Sequence, residues 1–322
     1  MSRPIQLYVS CEINLGRVLT RNNMSISQNL CFVYAEFTII LLFIKILEPN
    51  IHDIKFNSHA EDVMKGFHQL LALISACSSN YAFASDQPTT SNLVLNGNVA
   101  LASEYRWRGQ TQTQNDAALQ SNFVLNHSSG FYVAAFASNV DFGDEAHLEI
   151  DPFIGYTTPI SLGKFQPTFD IGMLRYHYVG KSDLNYNEYY LKMIINNILS
   201  DSDSFSPSVS YTSQYGGKVT RQNVGENVNN WYFNLLYSTP IAETHFGAVA
   251  SLGYSKASQA IYGENTKDHF FDWKIGANYN YKPMNLSAEL AAIGTDLNSS
   301  GYSDSNKKGV KTAAVFSLTK SF

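Results

Sequence analysis

Hydrophobic side chains recur at every second position through most of this chain, and that period leaves few folds available. In the stretch 271–282, Phe271, Trp273, Ile275, Ala277, Tyr279 and Tyr281 alternate with Asp272, Lys274, Asn278, Asn280 and Lys282. From Leu93, residues Leu93, Leu95, Val99, Leu101, Tyr105 and Trp107 share one parity; Asn96, Asn98, Glu104, Arg106 and Arg108 share the other. A β-strand sends successive side chains to opposite faces, so each such segment has one greasy and one polar side.

Twelve segments read this way, near 93–108, 117–126, 130–140, 146–157, 164–178, 187–195, 205–215, 230–238, 245–255, 269–282, 284–294 and 310–322. Two fit poorly. The third is apolar on both parities, and the fifth changes phase near Arg175, as a bulge would make it do. Links after odd segments are long and polar. Those after even segments are short, apart from the overlong "NNILSDSDS". An even number of strands joined alternately by long and short links predicts an all-β, antiparallel, up-and-down transmembrane β-barrel of twelve strands, with long loops outside and both termini periplasmic. A soluble two-sheet sandwich also alternates, but it would need Greek-key crossings and a second sheet against its apolar face.

Composition agrees. The chain is 44% hydrophobic and only 15% charged, where soluble proteins carry about 25% charged residues. Net charge is −5 without a basic run, which excludes a nucleic-acid footprint. Cys11, Cys31 and Cys77 all lie in the first quarter. A cysteine-free body suits passage through an oxidising periplasm.

"MKGFHQLLALISACSSNYAFASDQ", from Met64, has the basic start, apolar centre and A-x-A site of a secretory signal. Residues 64–84 are therefore expected to be the signal peptide, 85–322 the mature outer-membrane barrel, and 1–63 an upstream extension from a misplaced start. "LISAC" also resembles a lipobox ending at Cys77, a competing route to cleavage after Ala84.

With apolar residues facing lipid, the other parity faces the lumen. That assigns Glu104, Arg106, Arg108, Glu149, Asp151, Glu188, Lys192, Asp272, Lys274 and Glu289 to the interior. The same charges facing lipid would cost about 2–4 kcal/mol each at mid-membrane. Tyr105, Trp107, Tyr156, Trp231, Tyr237, Trp273, Tyr281 and Phe322 are expected to form the interfacial aromatic girdle. Lumen charges tune which solutes pass, but facing Arg and Glu also pair across narrow barrels and plug them. Twelve strands lie between filled barrels of about eight and open porins of about 16–18, so both readings stay open.

"SEYRWRGQTQTQNDAALQ", "SGFYVAAFASNVDFGD", "EIDPFIGY" and "YNEYY", in this order, resemble the TorF family of proteobacterial outer-membrane porins. The resemblance covers the mature chain, with Asn139, Asp141, Gly143 and Asp144 on the family's loop motif and Glu149 and Asp151 on its next strand. Ala117 stands where the family often has proline. The resemblance implies a barrel and a pore, and names no solute.

No enzyme is expected. His127, His147, His177, His245 and His269 lack a nucleophile signature, no nucleotide-binding pattern occurs, and no metal or other cofactor is implied. Expected partners are outer-membrane lipid, small polar solutes, and the barrel-assembly machinery. The last would read the C-terminal strand ending in Phe322, where Phe316 and Leu318 share a face that Lys320 interrupts. The expected function is a passive pore for small polar solutes. The alternative is a closed structural or adhesive barrel whose loops 216–229, 256–268 and 295–309 meet partners.

Overall fold

The computed structural model describes residues 92–162, 166–263, 266–298 and 309–322. The expected extension and signal segment lie outside the described residues. Twelve strands form the wall: β1 (Leu93–Ala102), β4 (Ala118–His127), β5 (Phe131–Asn139), β6 (Leu148–Pro159), β7 (Thr168–Tyr176), β9 (Tyr186–Asn196), β10 (Ser204–Thr212), β11 (Asn230–Pro240), β12 (Phe246–Ala257), β13 (His269–Tyr281), β14 (Leu286–Thr295) and β15 (Ala313–Ser321). Each pairs antiparallel with its neighbours in sequence. The ring closes where β1 meets β15, from Asn98 opposite Ser321 to Ala102 opposite Ser317. Phe322 and Gly97 exchange backbone hydrogen bonds at 3.0 Å, which places both strand ends with the short turns.

Closure leaves no unpaired edge, the condition for a sheet to cross lipid. Outward positions carry the apolar belt: Leu101, Ile154, Ile171, Leu191, Phe233, Leu235, Leu252, Ile275, Leu290 and Phe316 are all exposed. Among the described residues no helix is long and apolar enough to cross a membrane, so the strands make the crossing. Lys320, the charge on the belt of β15, reaches the carbonyl of Met284 in the neighbouring short turn at 2.5 Å. Its stem lies along the wall while its ammonium reaches the rim.

Two expectations are corrected. The fifth segment contains no bulge. Phe153 faces Leu174 and Glu149 faces Tyr178 with the same offset, so the two-residue β8 (Tyr178–Val179) continues β7 along β6. The change of phase arises because Leu174, Tyr176 and Tyr178 point inward, into a buried apolar cluster. Phe136 on β5, an apolar residue of the third segment's inward parity, packs against the same cluster. These segments look irregular in sequence because the upper interior is apolar there.

The wall strand of the first segment ends at Ala102 rather than running to Arg108 as expected. Ser103 still bonds Phe316 of β15. The chain then leaves the wall and forms a separate two-stranded hairpin, β2 (Arg106–Trp107) with β3 (Gln110–Thr111).

Candidate functional site

That hairpin is the centre of the site. Its two central residues, Arg108 and Gly109, have φ of 47° and 77°, the paired positive values that a tight type I′ hairpin turn requires. A side chain on Gly109 would meet the Thr295 methyl at 2.4 Å and the Gly294 carbonyl at 2.6 Å. Glycine therefore lets the tip press against β14 as well as adopt the turn.

Tyr105 and Trp107 consequently face the interior, correcting their assignment to the lipid girdle. Tyr105 is buried against Phe136, ring centres 5.7 Å apart. Trp107 packs edge-on to Tyr176 at 5.6 Å, stacks near Tyr215, and donates its indole N–H to the Tyr176 hydroxyl at 3.2 Å. Tyr186 and Tyr262 extend this aromatic chain to Phe270. Above it the loops pack as a lid. Val228, Ala257, Tyr262, Phe270, Leu297 and Val310 form a second buried cluster, and helix α1 (Gly217–Val224) lies in the β10–β11 loop.

The arginines fasten the hairpin. Arg108 Nη2 lies 2.7 Å from both carboxylate oxygens of Glu188 on β9. Its guanidinium is held between the rings of Trp107 (4.2 Å) and Tyr232 (3.9 Å). Arg106 pairs with Glu104 at 2.9 Å and donates to the carbonyls of Gly109, Gly309 and Lys311. A buried guanidinium demands this many partners, because desolvating it unpaired costs several kcal/mol, about 3–5 on loss of one member of such a pair.

The remaining interior residues fall into two groups. Glu149 and Asp151 are buried beneath the hairpin, Asp151 accepting the His177 N–H at 3.1 Å. Asp272, also buried, accepts from the Tyr232 hydroxyl at 3.1 Å. Lower down, Lys274 and Glu289 pair at 2.5 Å. Lys192 stands in register opposite Asp170, which accepts from Tyr132 at 2.7 Å. On the outside, Trp231, Tyr281 and Phe322 are exposed near strand ends. Tyr156 lies against the exposed Phe131, and Trp273 is half-buried on the outward parity of β13. Tyr237 donates to Asp203 in a short turn.

The four sequence motifs meet at this one place. Besides Glu149, Asp151 and Glu188, the loop motif holds the chain that leaves the hairpin. Asp141 accepts from Gln114 at 2.7 Å and from the Gly143 N–H at 2.7 Å, and its own N–H donates to Gln112. Asn139 bonds Leu119 and Ala117, bracketing the start of β4. The residues missed from sequence are the tyrosines that receive Trp107 and Arg108. Tyr176 breaks the phase of its segment, which is the one local sign of its role. Tyr215 and Tyr232 give none.

Below the hairpin the lumen is open in two cavities. The inner one, about 360 Å3, has Glu104, Arg106, Trp107, Asp151, Lys274 and Glu289 on its wall. The outer one, about 420 Å3, lies at the short-turn end between Ser202, Ser238, Asn278, Asn280, Ser287 and Glu289. Glu289 belongs to both. The His127 imidazole contacts Ser129 at 2.7 Å, but this is a bond within an exposed turn.

A closed ring of strands, apolar outside and polar or plugged inside, defines a transmembrane β-barrel of the outer-membrane type. A family model described as a bacterial protein of unknown function (Gcw_chp) matches residues 86–322, and the chain belongs to that family. No curated protein matches. Among solved structures, the chain is similar to the NanC porin in a rhombohedral crystal form, at 12% identity and a TM-score of 0.47, over 71% of this chain and 99% of that one. It is similar to Pseudomonas aeruginosa OprD at 12% identity and a TM-score of 0.34, over 74% and 67%. It is similar also to Pseudomonas aeruginosa OccD3 (OpdP) at 10% identity and a TM-score of 0.37, over 74% and 66%.

Proposed function

We propose that the protein is an outer-membrane channel for small polar solutes whose resting state is plugged by the Arg106–Thr111 hairpin. The observation that carries this reading is the pair of cavities that share Glu289, one with Arg106, Asp151 and Lys274 among apolar side chains beneath the hairpin and one at the short-turn end. A barrel built only as a wall has no need of a charged interior below its plug, where Lys274 and Glu289 remain partly accessible. The likeness of four motifs to the TorF porins supports the same reading, since all four contribute to the plug and its seat.

In this reading Glu104, Arg106, Arg108, Glu149, Asp151, Glu188 and Asp272 hold the plug, while Lys192, Lys274 and Glu289 line the path. Residues 64–84 direct export and the mature chain starts at Ser85. β15 with Phe322 is the segment offered to the assembly machinery. The second reading, a permanently closed structural or adhesive barrel, is favoured by the Arg108–Glu188 pair and the packed lid.

Planar-bilayer recordings separate the two. A channel gives small, infrequent openings in the native protein and large, sustained ones when Trp107→Ala and Arg108→Ala are combined. If both proteins insert and both stay silent, the channel reading fails and the structural one stands.

A further inference from the structure

The turn between β9 and β10 carries an exposed apolar tip, Ile198 and Leu199, on a backbone that is almost fully hydrogen-bonded. Asp203 is completely buried, and its carboxylate accepts the backbone N–H groups of Ile198, Leu199 and Ser200 at 2.7, 2.8 and 2.9 Å. The Asn197 side chain accepts the Ser202 N–H at 2.7 Å. The N–H groups of Asn197 and Asp203 bond the carbonyls of Asp203 and Ser200. Six of the seven amides from Asn197 to Asp203 are therefore satisfied inside the turn.

The turn also leans over the outer wall. Asp203 accepts the Tyr237 hydroxyl at 2.9 Å, and the Ser200 hydroxyl lies 3.2 Å from that of Thr239. Tyr237 and Thr239 share the parity of Trp231, Phe233 and Leu235, the lipid-facing residues of β11. At the tip Leu199 is 79% exposed, the most of any large hydrophobic side chain described, with Ile198 beside it. The next turn round the ring adds exposed Ile241 and Phe246.

The turn at His127 also bonds its amides internally, Ser128 to the Asn92 carbonyl and Ser129 to the His127 ring, but its tip is polar, as water selects. Internal satisfaction of amides around an apolar tip is what a bilayer demands. We propose that residues 197–203 form a lipid-inserted foot. Ile198 and Leu199, joined by Ile241 and Phe246, occupy the boundary between headgroups and acyl chains of the periplasmic leaflet. This surface is continuous with the apolar belt above it, and exposed Asp201, two residues past Leu199, marks the headgroup level. The proposal rests on the membrane reading of the barrel. It adds that the membrane boundary runs beyond the strands on this side, whereas the turn at His127, Ser128 and Ser129 stays in water.

The test uses the full chain with Cys11, Cys31 and Cys77 replaced by serine and a single environment-sensitive fluorophore attached through Leu199→Cys, Leu235→Cys or Ser128→Cys. Each protein is reconstituted in phosphatidylcholine vesicles with or without spin-labelled lipid. The expected result is quenching at Leu199 by lipid labelled near the headgroup, comparable to that at Leu235 by lipid labelled deep in the chain, and none at Ser128. Adding Asp203→Ala should abolish the Leu199 quenching while leaving Leu235 unchanged. A Leu199 probe as aqueous as that at Ser128, with Leu235 still quenched, overturns the foot but not the barrel. An unquenched Leu235 overturns the membrane reading itself. Protection of Leu199 that rises with the protein-to-lipid ratio assigns the surface to a second copy of the chain and also overturns the proposal.

Discussion

Arg108 and Glu188, eighty positions apart, meet at 2.7 Å and tie the tip of a hairpin that leaves β1 to β9, nearly opposite in the ring. The pair is buried on both sides. It sits between aromatic rings that exclude water, so each charge depends on the other.

Removing one member should therefore be worse than removing both. Arg108→Ala or Glu188→Gln is expected to destabilise the plugged state by about 3–5 kcal/mol, because each leaves a buried charge unpaired. The double replacement Arg108→Met with Glu188→Gln should cost less. Denaturant titration of the refolded barrel, with bilayer conductance as the second readout, checks the order.

Gly109→Ala tests the turn alone. A non-glycine residue at this positive φ is strained by about 1–3 kcal/mol, and the added carbon collides with Thr295 and Gly294. The hairpin should be pushed off its seat and become open to protease between Arg106 and Thr111. Equal resistance to digestion in the native and variant proteins would contradict the seat described for it.

Lys274 and Glu289 pair on the wall of the cavity beneath the hairpin, and Glu289 also borders the cavity at the short-turn end. Glu289→Gln leaves the Lys274 ammonium without its carboxylate, and selectivity should move toward anions. Lys274→Met should move it toward cations. Reversal potentials across a salt gradient, measured in the unplugged double variant Trp107→Ala with Arg108→Ala, would decide; no change in either would remove the pair from the conduction path.

At the far rim, hydrogen bonds from Lys256 and then His269 hold Asp268 at a pKa of about 2, below its ordinary 3.8. A depressed carboxylate stabilises the fold above its ordinary pKa and loses that effect as pH falls through the folded value. The Ala257 amide, bonded to the Asp268 carbonyl at 2.7 Å, should thus keep its protection, measured against the intrinsic exchange rate, at pH 4 and lose part of it as pH approaches 2. Asp268→Asn should flatten that dependence, as hydrogen exchange can show.

Much of the barrel was legible because its signal is local. Period two needs only the pleat of each strand, and the alternation of long and short links needs only chain order. Inward charge on β6, β9, β13 and β14 followed from parity with no knowledge of neighbours. Parity failed where the chain stopped being a wall. Tyr105 and Trp107 continue the odd-numbered pattern of β1, yet the wall ends at Ala102. The turn that redirects them uses Arg108 at positive φ, where Asn or Asp would have announced it. No rule of spacing distinguishes Trp107 in lipid from Trp107 against Tyr176.

Twelve alternating segments were enough to read a twelve-stranded barrel and the lipid-facing parity of every wall strand except β5 and β7, since apolar surface must meet the bilayer and the pleat does the rest. Chain order and spacing held no sign that a hairpin folds into the interior, since the contacts that seat it there are long-range. Arg108 acquires its role from Glu188 and Tyr232, contributed by two distant strands, and that convergence exists only once the ring has closed.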